Sequence, residues 1–242
     1  MNIKTVTVRV AALVSVAMAG CASVPNIEMQ HASAAPIKRI ALLQTLSPVP
    51  QRVLVMNMGG AAMAFGAVGG LIQGGVNADH SKQFAAILAK RPALSEEMMA
   101  DVERSLKAVG YDVMVVRDQA PKQAADGKGD DYSGVHVDAD AILSVWFGVV
   151  GYVSGGFSVH YEPSVLVKAR LLDAKTKKDI YFKTFCVGYK MKIENAVMLP
   201  ADTRFRFGSF DDLMAHAEEA VAGLVSCEEL TANRIGWDLR AQ

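Results

Sequence analysis

The side chains of this 242-residue chain with the widest chemical repertoire are three cysteines, Cys21, Cys186 and Cys227, and five histidines, His31, His80, His136, His160 and His216. A cysteine acts as a nucleophile when a neighbouring base holds it as thiolate, and no such base is readable beside Cys186 or Cys227. The histidines are scattered, with no H-x-x-x-H or H-E-x-x-H pair to set a zinc ligand spacing. Asp126, Asp130 and Asp131 offer hard oxygens, but Lys128 takes the third place of the calcium-loop template and no glycine takes the sixth. His136, Asp138 and Asp140 alternate, which on a strand puts all three on one face. Such a trio could relay a proton, and it equally suits polar residues at a strand entry. No G-x-S-x-G elbow and no G-x-G-x-x-G or G-x-x-x-x-G-K-[ST] phosphate loop occurs. The expectation is no catalytic residue, no metal and no cofactor: not an enzyme.

Composition narrows the classes further. Hydrophobic residues make up 51% and charged residues 21%, enough apolar material for a packed core and too much for a disordered chain. The 25 basic and 25 acidic residues cancel, so there is no basic face to expect for nucleic acid.

The N-terminus reads as an address. Lys4 and Arg9 precede the apolar run 10–18, which is too short to span a bilayer. Small residues follow, and then a cysteine. The string Met18-Ala19-Gly20-Cys21 resembles the lipobox of bacterial lipoproteins, with Met at the place usually held by Leu. That resemblance implies a signal peptide at 1–20, recognition by the signal peptidase through Met18, Ala19 and Gly20, and acylation of Cys21 with palmitate-type chains. Each buried methylene adds about 0.8 kcal/mol, so several chains anchor the protein permanently. Ala22 rather than Asp follows the cysteine, which resembles the lipoproteins sent to the outer membrane. The expected location is the outer membrane, facing the periplasm, with membrane lipid as partner through Cys21. In that oxidising compartment the two remaining thiols, Cys186 and Cys227, are expected to pair as a disulfide; two separate buried thiols are the alternative.

The elements follow in order. Residues 21–36 are rich in Ala, Ser and Pro and read as a flexible tether, about 20 Å long as a coil. A single α+β domain is expected over 37–242, with strands at 37–43 and 53–57 and helices at 81–90 and 95–109. Ser95 is a candidate cap of the second helix; Leu94, Met98, Val102, Leu106 and Val109 form its apolar stripe. Strands at 111–116, 141–150, 157–161, 165–172 and 180–188 come next, the last two joined by a polar turn containing Lys175, Lys177 and Lys178. Ser209 caps a final helix. Together these read as a mixed, largely antiparallel sheet with helices packed on one face.

Two stretches carry a family resemblance. Residues 138–145, Asp-Ala-Asp-Ala-Ile-Leu-Ser-Val, resemble a characteristic strand entry, and residues 167–181 resemble the strand–turn–strand that follows it, with Lys177 at the usual turn glycine. With the helix ending at Val109-Gly110-Tyr111, these resemble the domain of the curli-secretion lipoprotein, the penicillin-binding-protein activator lipoproteins and the N-terminal domain of the Tol translocation protein. The resemblance implies a non-catalytic, protein-binding envelope assembly or regulatory module, with unknown envelope proteins as partners or with itself as a homo-oligomer.

One segment departs from that pattern. No charged residue lies between Arg52 and Asp79, and seven glycines fall within 59–75. In the Gly-rich apolar segment 58–78, Ala62, Gly66, Gly70 and Gly74 recur every fourth residue, the spacing that lets backbones approach closely. Three roles fit: a membrane-inserted or membrane-lying hairpin, a self-association surface, or a segment folded on its own domain. The first two make an oligomeric, membrane-inserting component of a secretion-type assembly the alternative to a binding module.

Overall fold

The structure is a computed structural model that describes residues 22–23, 26–29, 37–45, 53–59, 61–91, 93–124, 129–155, 160–191 and 193–240, with backbone only at 22–23 and 61–73. Its strands are β1 (Ala22–Ser23), β2 (Arg39–Leu43), β3 (Val53–Asn57), β4 (Asp112–Val116), β5 (Lys122–Gln123), β6 (Asp130–Asp131), β7 (Ala141–Ser154), β8 (Tyr161–Asp173), β9 (Asp179–Gly188), β10 (Ile193–Glu194) and β11 (Val197–Leu199). Its helices are α1 (Ala61–Leu88), α2 (Leu94–Ala108), α3 (Phe210–Ala215) and α4 (Ala217–Leu239).

The expected α+β class is what the chain adopts. Seven strands form one sheet in the order β11-β9-β8-β7-β2-β4, with β3 also on β7. Its centre is the antiparallel trio β7, β8 and β9, and the outer strands add in parallel. Strand β7 is long enough to hold β2 on its first residues and β3 on its last, along the same side. Period-2 alternation then sets the core. Leu143, Val145, Phe147, Val167, Ala169, Leu171, Phe185 and Val187 point to one face and pack against α2 and α4. Of the expected stripe, Leu94, Met98, Val102 and Leu106 are buried there, and Val109, at the C-cap, is half-buried. The opposite face carries a smaller cluster, Ala41, Leu43, Ile142 and Leu172, covered by Tyr132 and Val135.

Close backbone approach fixes the β3–β7 junction. Gly151 has φ +153°, and a Cβ there would sit 1.8 Å from the carbonyl oxygen of Leu54. Only hydrogen fits in that space, so the glycine lets β3 sit on the end of β7.

Several expectations are corrected. Cys186 and Cys227 are separate buried thiols, not a disulfide. Phe185 and Val187 point to the helix face, so Cys186 between them points away from α4, where Cys227 joins the main core. Burial pushes the Cys186 thiol up to about 11 and Cys227 to about 12. Residues 22–23 and 26–29, within the expected tether, are docked instead. Ala22 and Ser23 pair with β10, and Ile27 exchanges backbone hydrogen bonds with Phe182 of β9 at 2.8 and 3.0 Å. The helix expected at 81–90 is the end of a 28-residue helix, α1. Of the strand expected at 157–161, residues 157–159 lie outside the described residues, and Tyr161 opens β8. Ser95 lies inside α2 and is buried, and Ala93 takes the cap place with no side-chain bond. The final helix breaks at His216; Ser209 caps α3 as expected, accepting from Asp212 N at 3.0 Å.

Candidate functional site

The residues singled out for chemistry do not converge. His136, Asp138 and Asp140 lie in the irregular approach to β7 rather than on a strand face. The His136 backbone is clamped by Gln119, whose amide donates to His136 O and accepts from His136 N, both at 2.7 Å. Asp140 accepts the backbone N–H groups of Lys38 and Arg39 at 2.8 and 2.9 Å, which holds its carboxyl below the usual range. Arg39 reaches Asp112 at 2.7 Å and Asp138 at 3.5 Å. This cluster fastens the entries of β2, β4 and β7. His80 stacks on Phe210 at 3.5 Å between ring centroids, and burial lowers its pKa. His216 meets Asp212 at 3.0 Å, and the contacts with Asp212 raise its pKa. Among the described residues no group of three His, Cys, Asp or Glu side chains could hold a metal. Met18, Ala19, Gly20 and Cys21 lie outside the described residues.

The glycine-rich segment forms the backbone of the first part of α1, which carries Ala62, Gly66, Gly70 and Gly74. Among the described residues, nothing beyond the helix's own neighbouring backbone lies within 4 Å of where a Cβ at Gly74 or Gly75 would be. Among the described residues no helix is long and apolar enough to cross a membrane.

The later part of α1 has a definite task. In β3 the residues facing away from β7 are Val55 and Asn57. Ser81 Oγ accepts the N–H of Val55 at 2.9 Å. Asn77 Oδ1 accepts the N–H of Asn57 at 3.0 Å, and its Nδ2 donates to the Asn57 carbonyl at 3.3 Å. Four residues of helix rise about 6 Å and two of strand about 6.6 Å, so positions 77 and 81 match 57 and 55 in reverse. The helix thereby stands in for a strand and closes the β3 edge to further pairing. An apolar groove of about 740 Å³ remains between them, lined by Val53, Leu54, Met56, Ala78 and Ala85.

The β4 edge is different. Asp112 N donates to Lys38 O, and Gln44 N donates to Val116 O, so 112 and 116 face β2. The intervening Val113 and Val115 therefore aim their backbone groups away from the sheet, and among the described residues β4 pairs with no strand except β2. Among the described residues this edge of the sheet is open.

Two features were not legible in the sequence. Lys183 is 5% exposed by side chain and forms an ion pair with Glu28, which is 74% exposed, from the docked N-terminal segment. Glu228 on α4 is fully buried, and among the described residues neither carboxyl oxygen has a hydrogen-bond partner. Burial, with Glu97 and Asp101 nearby, pushes it up to about 10, so it is a neutral acid at pH 7.

No protein-family model matches the chain, and no curated protein sequence matches it. Among solved structures it is similar to the PelC dodecamer from Paraburkholderia phytofirmans, with 14% identity and a TM-score of 0.37 over 90% of this chain and 96% of that one. It is also similar to protein XCC0632 from Xanthomonas campestris, of DUF330, with 8% identity and a TM-score of 0.41 over 87% and 89%. A third is the lipoprotein GNA1162 from Neisseria meningitidis, with 11% identity and a TM-score of 0.32 over 76% and 98%.

Proposed function

We propose that this chain is an outer-membrane lipoprotein, acylated at Cys21, whose α+β domain faces the periplasm and acts by binding other envelope proteins rather than by turnover. The observation that carries this reading is the string Met18-Ala19-Gly20-Cys21 behind a basic, apolar leader. The scatter of reactive side chains described above supports binding over catalysis.

The open β4 edge is the surface a protein partner would use. An extended segment laid beside Val113 and Val115 would complete their backbone hydrogen bonds, as a strand added to a sheet does. A photo-crosslinking side chain placed at Val115 in living cells tests this. The reading expects a discrete crosslinked envelope protein from that position and none from a probe at Lys82 on α1, which is more exposed. Equal capture from both positions, or from neither, would contradict the β4 assignment.

Self-association is the second reading, favoured by the open space around Gly74 and Gly75, where another backbone could approach. Sedimentation of the detergent-extracted protein separates the two: a single protomer mass excludes the homo-oligomer.

A further inference from the structure

A cleft opens at the end of the sheet where β8 begins and β9 ends. Tyr161, the first residue of β8, exchanges backbone hydrogen bonds with Phe207 at 2.7 and 3.1 Å. That bridge fixes the segment after β11 beside the start of β8. Within this segment Asp202 caps the 3₁₀ turn Thr203–Phe205, accepting from Arg204 N at 2.9 Å. Gly188, at the end of β9, has φ +88°, and a Cβ there would sit 1.9 Å from the carbonyl oxygen of Pro163. The chain bends at that glycine, and the next N–H, of Tyr189, donates to the same carbonyl at 2.9 Å. A Cβ on Gly155 would lie 3.1 Å from Cε2 of Tyr189, so the ring rests where there is no side chain.

The cleft framed in this way has a volume of about 350 Å³, within the range of small-ligand sites. Pro163, Pro200, Ala201 and the Tyr189 ring give it apolar walls. Its charged and polar side chains are His160, Glu162, Lys190, Asp202 and Arg206. The two acids are already engaged. Asp202 gives one oxygen to Arg204 N and the other to Arg204 Nε and Nη2, at 2.8 and 2.7 Å. Glu162 Oε1 lies 3.1 Å from Arg206 Nη2. The donors are not used up. Among the described residues the Lys190 ammonium and the Tyr189 hydroxyl have no partner, and Arg206 makes only that one contact. A guanidinium has five N–H groups to offer. The cations Lys190, Arg204 and Arg206 therefore outnumber the carboxylates of Glu162 and Asp202. Lys190 and Arg206 are exposed, so the charged side of the cleft meets solvent.

We infer that this cleft binds a carboxylate with a compact apolar body. Lys190 and Arg206 hold the carboxylate, and the body lies against Tyr189, Pro163 and Ala201. Surplus donors call for an anion, and a planar carboxylate matches the fork of a guanidinium. The apolar walls call for more than an inorganic ion. A free organic acid and the C-terminus of a peptide share this chemistry. The site is separate from the β4 edge and does not depend on the state of Cys21.

The test titrates the full chain in detergent with phenylacetate, and with 2-phenylethanol and 2-phenylethylamine as its neutral and cationic counterparts. N-acetylphenylalanine stands for a peptide terminus. Calorimetry gives the affinity, and the NMR shifts of the Ala201 methyl and the Tyr189 amide locate the ligand. At least one of the two carboxylates binds at millimolar concentration or below and moves both signals; the alcohol and the amine do neither. Lys190→Gln, at an exposed position, weakens that binding about tenfold, the share of one charge-assisted hydrogen bond. Glu162→Gln strengthens it, because Arg206 loses a competing carboxylate. Tighter binding of N-acetylphenylalanine assigns the cleft to a peptide terminus, and tighter binding of phenylacetate assigns it to a free acid. Equal binding of phenylacetate and 2-phenylethanol overturns the assignment of an anion. Binding of neither carboxylate, or binding that Lys190→Gln leaves unchanged, overturns the site.

Discussion

Glu228 makes the stability of this domain depend on pH in an unusual direction. Its carboxyl is buried on α4, has no hydrogen-bond partner among the described residues, and is faced by Glu97 and Asp101, which disfavour a further negative charge. The native state therefore keeps the proton up to about pH 10, whereas an unfolded glutamate releases it near about pH 4.3. A raised acid pKa gives stability that is complete below the unfolded value and is lost as pH rises toward the folded one. Between those limits the native state binds one proton more than the unfolded chain, and each pH unit removes about 1.4 kcal/mol. The loss is about 4 kcal/mol between pH 5 and pH 8, a large share of a typical domain's stability. Glu228→Gln has no proton to lose. Its amide adds unpartnered donors, but that offset is the same at every pH. Urea denaturation of both proteins at pH 5 and pH 8 then gives a stability difference that shifts by about 4 kcal/mol in favour of the variant. Other titrating groups, such as His80, occur in both proteins and cancel. Parallel pH profiles would refute the assignment of Glu228 as a buried neutral acid.

Other expectations follow from the same coordinates. Lys177 sits at φ +59°, where a side chain is strained, so Lys177→Gly is more stable than Lys177→Ala by about 1 kcal/mol in chemical denaturation. The alanine variant also loses the bonds from Lys177 Nζ to Val135 O and Ala174 O at 2.7 and 2.6 Å, as the glycine variant does, so the comparison isolates the backbone. A Cβ at Gly223 would lie 2.5 Å from the Tyr152 hydroxyl and 2.8 Å from Phe205; Gly223→Ala destabilises by about 1–3 kcal/mol, read as a lower thermal midpoint. Asn77→Ala uncaps Asn57 and opens the β3 edge, so it weakens the fold by about 1–2 kcal/mol and promotes association seen in sedimentation. Thiol titration of the denatured, unreduced mature protein finds Cys186 and Cys227 both free.

The sequence disclosed most where periodicity was strong and local. The stripe of α2, the Ser209 cap and the hairpin around 173–179 all depend on residues within a few positions of one another, and each is as expected. Position 177 was legible as the site of a missing turn glycine, and its positive φ is the structural counterpart. What the sequence hid depends on distant partners. Lys183 looked like one polar residue in an alternating strand, because its partner Glu28 lies far away in the chain and in a segment whose composition suggested a coil. Glu228 looked like an ordinary helix-surface acid, since nothing local reveals that α2 covers it. The disulfide expectation failed on a count: thiols in an oxidising compartment suggest pairing, but strand alternation at 185–187 turns Cys186 to the face away from α4. The role of Asn77 and Ser81 follows from a helix running back along β3, which no local pattern within 58–78 announces.

The most direct measurement is the mass of the N-terminal peptide of the protein extracted with detergent from a diderm bacterial host. The account predicts a peptide that begins at Cys21, lacks residues 1–20 and carries a diacylglyceryl group with an amide-linked acyl chain. A peptide retaining Met18, Ala19 and Gly20, or one beginning at Cys21 with an unmodified thiol, would contradict it.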